Sequence, residues 1–403
     1  MPHYPQIRMA KVEKLKNNES NQLSFYIHIP YCSKRCGYCD FNTYTPSELT
    51  PSATLSQVSD IATKYIDAAL LEIDLAAKTA GRRKVPTIFF GGGTPSLLPA
   101  REISRVIERI KSSFDVETDV EITLEANPDS LSRDFLEGIK QAGVSRISLG
   151  MQSAVPKVLE ALDRTHNPDN VLKSAQLIRE VGFEHLSVDL IYGAPGESIS
   201  DWEQSYKSAL DLPIDHVSAY ALIVEQGTKL AAQINRGEKQ LPPDDETAEK
   251  YLLFDSFANR QGFAWYELSN WAKPRGECRH NIAYWNGSYW WGIGPGAHSF
   301  LKNRRWWNVK HPVKYQQLIM ENKSPEQSSE ELTEENRRDE NLMLQIRMRS
   351  GIPISDLNVK QTEVAKSFFA TKHLDEDGWT ENRLVLSPKG RLIADRIVRE
   401  LLV

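Results

Sequence analysis

Residues 28–42 read HIPYCSKRCGYCDFN and set Cys32, Cys36 and Cys39 in a C-x3-C-x2-C spacing directly after a short apolar strand pattern. The chain has four cysteines, and three of them fall within these eight positions, so they do not read as a disulfide framework; they point to a reducing compartment and a shared centre. Three thiolates on one loop can cap three corners of a cubane iron–sulfur cluster, leaving one iron open for chemistry. A zinc site, with His28 as a fourth ligand, and three unrelated buried cysteines are the alternatives, and the cluster is the better match.

Outward from this loop, short β-rich runs alternate with amphipathic stretches. QLSFYIHI (22–29), VPTIFF (85–90), DVEITLEAN (119–127), VSRISLG (144–150), HLSVDLIYG (185–193) and HVSAYALI (216–223) read as strands. Helices are expected between them, among them Ala53–Ala80 and Leu131–Gln141, with a later one over Asp245–Arg260. Such alternation predicts an α/β fold of parallel strands with right-handed crossovers, about six units making a partial (β/α)6 barrel. A barrel of this kind carries its site at the C-terminal ends of the strands. Cys32–Cys39, Gly91–Pro95, Glu125, Gln152, Asp189 and Ala221 all fall there.

The chain divides into a flexible arm (1–21), the barrel core (22–240), an aromatic-rich segment (241–310) and a smaller, mainly helical, winged-helix-like C-terminal domain (311–403). The C-terminal end is expected to form a short local hairpin feeding a helix. A length of 403 residues, 40% hydrophobic and 26% charged, is ordinary for a soluble protein. The net charge of −5 argues against nucleic-acid binding. No apolar run approaches bilayer length and no secretory signal opens the chain, so a cytoplasmic location is expected, or an organellar one if a transit peptide has been removed.

The triad between FYIHIP and DFN, together with GGGTPS, EANP, RISLGMQS, LDRTH, DLIYGAPGE, SAYALIVE and HNIAYW, resembles the radical S-adenosylmethionine (SAM) superfamily. More narrowly, it is similar to the branch that contains oxygen-independent coproporphyrinogen III oxidase and its haem-chaperone relatives. The resemblance runs from about Phe25 to the C-terminus. It implies a 4Fe-4S cluster on Cys32, Cys36 and Cys39 whose open iron takes SAM and whose electron cleaves a sulfonium C–S bond to give methionine and a 5′-deoxyadenosyl radical. It further implies that Gly92, Gly93 and Thr94 face the methionine moiety and that Glu125 accepts from ribose hydroxyls or the ammonium. Gln152 and Arg164 would grip the cofactor, the Arg fork suiting a carboxylate. Asp189 would bond the ribose, while Tyr26 and Tyr38 flank the cluster. Ala221 and His298 transfer more loosely, near the adenine and the barrel mouth.

Two departures separate the chain from the oxidase. There the third cysteine is followed by Gly and a further Cys, whereas Cys39 is followed by Asp40 and Phe41; and only 31 residues precede Cys32, too few for the oxidase's arm. HNIAYW (280–285) matches a motif that the resemblance ties to haem handling, with His280 as an imidazole for iron, Tyr284 and Trp285 as flat apolar surface, and Cys278 as an alternative thiolate. The expected function is a haem chaperone with haem as cargo, with cleavage of SAM left open; the alternative is the porphyrinogen decarboxylase. Expected partners are acceptor haem proteins such as respiratory enzymes, an electron donor protein and transient membrane-protein contacts, with the chain a monomer or homodimer.

Overall fold

The computed structural model describes residues 21–49 and 58–403. Apart from Asn21, the arm expected at 1–21 lies outside these residues, as do positions 53–57 of the helix expected from Ala53. Six strands, β1 (Ser24–Ile29), β2 (Lys84–Gly92), β3 (Asp115–Ala126), β4 (Arg146–Gln152), β5 (His185–Tyr192) and β6 (His216–Ala221), lie side by side in chain order, every pair parallel. The helices Val58–Ala80, Ala100–Ser113, Arg133–Ala142, Pro168–Val181 and Ile199–Leu210 make the crossovers. Their ends are set locally. Ser132 accepts from the Phe135 amide at the start of Arg133–Ala142, and Gly143, at φ +111°, closes it in the left-handed conformation that glycine adopts without strain.

Strand alternation decides what faces what. Phe25, Ile27 and Ile29, Ile88 and Phe90, Ile122 and Leu124, Ile147 and Leu149, Val188 and Leu190, and Val217 and Ala219 are buried in one apolar core with the helices. The intervening positions carry Tyr26 and His28, Thr87, Glu121 and Glu125, Arg146 and Ser148, Ser187 and Asp189, and His216 and Ser218. These side chains bond to one another across the concave side, so the barrel lumen is polar.

The barrel is partial. β6 is bordered by β8 (Asn270–Ala272), which pairs with β7 (Ala264–Glu267), and β1 by β9 (Trp290–Ile293). Beyond β9 the same sheet continues through β10 (His298–Leu301), β11 (Arg304–Asn308) and β12 (Glu326–Glu331). The sequence boundary at 310/311 thus falls between β11 and β12 of one sheet. β12 lies in a stretch that reads as charged and helical. Its polar, largely exposed residues are held by pairing with β11 and by Arg304–Glu326 (2.5 Å) and Arg305–Glu330 (2.9 Å) ion pairs.

A second apolar core, with Ile346, Ile352, Phe368, Leu384, Leu386 and Ile397, gathers the C-terminal helices. The local hairpin expected there does not form: Arg383–Leu384 pairs instead with Ile352–Pro353, about thirty residues upstream. Arg391 ties this unit to the barrel by a buried bidentate pair with Asp255 (2.8 and 2.7 Å), with its guanidinium 4.4 Å from the Trp265 ring centroid. Among the described residues no helix is long and apolar enough to cross a membrane.

Candidate cofactor site

The cysteine loop leaves the end of β1 and is pinned on every side. The Cys32 amide donates to the Tyr44 carbonyl (3.1 Å) and the Tyr44 amide to Pro30 (2.7 Å). His28 Nε2 donates to the Asn42 carbonyl (2.9 Å) while Nδ1 accepts from Tyr26 Oη (3.1 Å), a tautomer fixed by the carbonyl acceptor. Asn42 Nδ2 donates to the carbonyls of Pro295 (2.9 Å) and Lys310 (2.8 Å). Across the loop, the Leu230 amide donates to the Gly37 carbonyl (2.8 Å).

The GGGTPS turn fits beneath this loop. The Gly93 amide donates to Ile29 (2.7 Å) and the Thr94 amide to Tyr31 (2.8 Å). A Cβ on Gly93 would lie 2.5 Å from the Tyr31 carbonyl oxygen, and one on Gly92, already at φ +108°, 2.5 Å from the His28 ring. The sequence reading gave these glycines to a ligand; the structure shows that the cysteine loop itself needs their missing side chains.

All three thiols are unpaired and partly exposed. Thr94 Oγ1 stands 3.6 Å from Cys32 Sγ and Arg164 Nη1 3.5 Å from Cys36 Sγ, so two of the three sulfurs face a donor, as suits thiolate ligands. Burial pushes the Cys32 thiol up to about 11 and raises that of Cys39, so a bound cation is needed to hold them ionised. Among the described residues no three Cys, His, Asp or Glu side chains converge closely enough to hold a single ion. His28, the fourth ligand of the zinc alternative, is committed to the Asn42 carbonyl. A cluster gives each thiolate its own iron and needs no such convergence.

Along the strand ends the remaining candidates assemble around the lumen mouth. Glu125 accepts from the Gly92 amide (3.1 Å); burial, then the neighbouring Asp189, raises it to about 8. Burial raises Asp189 to about 6 against the bonds from Ser218 and Ser148, the latter at 3.2 Å. Two buried carboxyls short of donors make a lumen that favours a cationic ligand bearing hydroxyls. Gln152 ends β4 at φ +63°, a conformation uncommon for a residue with a side chain, and its amide lies beside Gly150 and Arg164. Arg164 Nη2 donates to the Gly150 carbonyl (2.9 Å), and its buried Nε has no partner. Tyr38 packs on Val155, Val158, Leu162 and Ile191, and Ala221 closes β6 opposite Tyr192. A pocket of about 450 Å³ opens beside the loop between Lys34, Arg164, His166 and Asn167.

Comparison with known proteins places this geometry. The Radical SAM superfamily matches residues 26–209. Heme chaperone HemW of Mycobacterium tuberculosis is 44% identical over 377 residues, covering 94% of either chain. Heme chaperone HemW of Bacillus subtilis is 35% identical over 381 residues, covering 93% of this chain and 97% of its own.

This chain belongs to the HemW family of radical SAM proteins.

The solved structure of Escherichia coli coproporphyrinogen III oxidase (HemN) superposes with a TM-score of 0.79, covering 95% of this chain and 91% of its own, at 22% identity. That likeness speaks for the fold. Radical SAM membership implies a 4Fe-4S cluster and SAM, and three thiols on one loop, two of them facing a donor, fit the cluster.

In this structure both ring nitrogens of His280 are bonded within the protein. Thr87 Oγ1 donates to Ser24 (2.8 Å), so it accepts from His280 Nδ1–H (2.8 Å), and His280 Nε2 accepts from Tyr284 Oη (3.1 Å). The ring stacks on Phe89 at 5.1 Å, and burial drops its pKa to about 3. Both nitrogens are spent inside the protein. Thr87 also lies four residues before Gly91, about 13 Å down the strand from the cluster end. The Cys278 thiol donates to Glu121 (3.6 Å), and burial pushes it to about 12. The segment 278–285 therefore plugs the lumen floor, with the His280 amide on Glu121 (3.1 Å) and Glu121 paired to buried Arg146 (3.1 Å).

Sequence reasoning missed Ser148, which positions Asp189, and the His28–Asn42 bond that holds the loop. A signal was present. In EITLE, RISLG and HLSVD polar and apolar residues alternate strictly, whereas parallel strands buried on both faces run continuously apolar. Such alternation in a barrel marks a polar lumen.

Proposed function

We propose that this chain is a haem chaperone, holding a 4Fe-4S cluster and SAM at the barrel mouth and binding haem for delivery to acceptor haem proteins. The observation that carries this reading is the 44% identity, over 94% of the chain, with a protein named heme chaperone HemW. Asp40 and Phe41 agree with it: the loop after Cys39 offers an exposed carboxylate and a phenyl ring that is 62% exposed, where the oxidase pattern has a further cysteine.

Cys32, Cys36 and Cys39 would hold the cluster, which supplies an electron to SAM when both are bound. Arg164 and Gln152 would hold the SAM carboxylate end, Glu125 its ammonium or ribose, and Asp189 the ribose. Tyr26, Tyr38, Gly92, Gly93, Thr94 and Ala221 would shape the walls. The partners are haem, acceptor haem proteins such as respiratory enzymes, and an electron donor protein, in the cytoplasm. Residues 342–401 form a unit that accompanies the barrel through Arg391.

Titration of the anaerobically reconstituted protein with haem should saturate at a fixed stoichiometry, with a Soret band distinct from that of haem in buffer. Incubation with coproporphyrinogen III, SAM and a reductant should give no decarboxylated product. Absence of stoichiometric haem, or appearance of that product, would overturn the reading.

A further inference from the structure

We propose that the hydroxyl of Thr43 tunes the cluster: it donates into the thiolate pair of Cys32 and Cys39 and so sets how readily the cluster accepts its electron. This rests on the cluster reading of the cysteine loop and adds a positioning residue that is not itself a ligand.

Thr43 is buried, at 2% exposure, and its three polar groups are not equally served. Its amide donates to the Phe41 carbonyl (2.7 Å), closing a tight turn, and its carbonyl accepts from Arg35 Nη2. Its hydroxyl is buried with them and has no hydrogen-bond partner. Native interiors leave few such groups, because a hydroxyl taken from water without a new partner is costly. A neutral thiol is a weak acceptor, whereas a thiolate is a charged one, and a hydroxyl proton rotates to suit its acceptor. The orphan hydroxyl therefore gains its partner when the sulfurs beside it are cluster ligands.

The backbone places it there. Tyr31 and Tyr44 pair in parallel, with the Tyr44 amide on the Pro30 carbonyl (2.7 Å) and the Cys32 amide on the Tyr44 carbonyl (3.1 Å). Paired positions share a face and their chain neighbours take the other, so Cys32 and Thr43 turn to the same side. Burial raises the Cys32 and Cys39 thiols, and the Thr43 hydroxyl is near enough to pull against that rise at both.

Reduction adds a negative charge that spreads over the cluster and its sulfurs, so a donor aimed at a sulfur stabilises the reduced form more than the oxidised one and raises the potential. The effect is felt most where water cannot replace the lost donor, as at a buried hydroxyl. Arg164 and Thr94 also face sulfurs, but both are counted among the SAM contacts, so removing either alters two things at once. Thr43 has both backbone groups tied into the loop and only its hydroxyl left over, which makes it the cleaner handle.

The test is anaerobic reconstitution of wild type, Thr43→Ser, Thr43→Val, Thr43→Ala and Ser33→Ala without SAM. Iron and sulfide content and circular dichroism are measured first, then the cluster midpoint potential by redox titration with low-temperature electron paramagnetic resonance. Valine keeps the shape and removes the donor, alanine removes both, and serine keeps the donor. Ser33, an exposed hydroxyl in the same loop, is the control. Thr43→Val and Thr43→Ala should load like wild type and titrate at a more negative potential. The reduced-to-oxidised ratio should fall about tenfold, as loss of one hydrogen bond does, which is about 59 mV for one electron. Thr43→Ser and Ser33→Ala should titrate with wild type. Loaded Thr43→Val or Thr43→Ala at the wild-type midpoint would overturn the inference, as would Thr43→Ser shifted like Thr43→Val. Failure of both donorless variants to load on an intact fold would also overturn it, since Thr43 would then only shape the loop. In each of these cases the cluster reading stands; if wild type itself takes up no cluster, both fall.

Discussion

Arg164 reaches across the barrel mouth to the Cys36 sulfur at 3.5 Å, with its other arm on the Gly150 carbonyl at 2.9 Å. One guanidinium thereby links the cluster loop to the end of β4, where Gln152 sits in its left-handed conformation. A planar fork serves both bonds at once; an ammonium would not.

Arg164→Lys should therefore keep the fold and the iron content while weakening SAM binding by about tenfold or more, as loss of a bidentate partner does. Iron and sulfide analysis together with equilibrium dialysis of SAM on the reconstituted protein measures both. Unchanged SAM affinity would remove Arg164 from the site.

His280→Ala separates plug from ligand. The substitution leaves the Tyr284 hydroxyl without its acceptor, at about 1–3 kcal/mol for a group so stranded, while Thr87 keeps its bond to Ser24. Urea unfolding should show a loss of about 1–3 kcal/mol on that basis, with the haem spectrum of the folded variant unaltered. A variant of full stability with an altered haem spectrum would restore His280 as a ligand.

Acid and base act on the polar lumen in opposite directions. Burial holds His28 and His166 at about 4 and His216 and His280 at about 3, against 6.5 for an ordinary histidine. As pH falls below 6.5 the unfolded chain takes up protons that the native chain refuses, and stability is lost. Glu72, Glu125 and Asp189 are raised to about 7, about 8 and about 6, so the native chain holds their protons and loses stability as pH rises through those values. Urea midpoints of the cluster-free protein should peak near pH 6, within about a unit, and decline on both sides. Glu125→Gln should flatten the decline above pH 7; a profile that keeps rising to pH 8.5 would contradict the buried carboxyls.

Arg391 and Asp255 should behave as one unit. Arg391→Ala strands a buried carboxylate and should cost about 3–5 kcal/mol, with faster proteolysis within 342–401, whereas Arg391→Met combined with Asp255→Leu should recover most of the loss. Equal instability of the single and double variants would mean that packing, and not the charge pair, joins the two units.

Much of this architecture was legible in the chain because local rules and tertiary contacts agree. The six barrel strands carry apolar residues on the helix side at every second position, and the expected helices at 131–141 and 245–260 match Arg133–Ala142 and Asp244–Arg260 to within two residues. The cluster loop needed only the spacing of Cys32, Cys36 and Cys39. What stayed hidden depends on partners far apart in sequence. β12 has no apolar face, being an edge held by Arg304 and Arg305 from β11, so nothing in EQSSEE announces a strand. The short strand Arg383–Leu384 looked like half of a local hairpin because its partner lies at 352–353. The bonds of His280 were hidden too, because its partners come from β2 and from one turn along its own helix, and a motif does not report what a ring nitrogen is bonded to.

The most direct measurement is haem transfer. The reconstituted chain, loaded with one equivalent of haem and freed of excess, is mixed with an apo haem protein, and the spectra of donor and acceptor are followed anaerobically. The chaperone account predicts that the donor's Soret band decays as the acceptor's own haem spectrum appears, faster than from haem in buffer with an inert carrier. Haem that stays on the donor, or reaches the acceptor no faster than from the carrier, would contradict it.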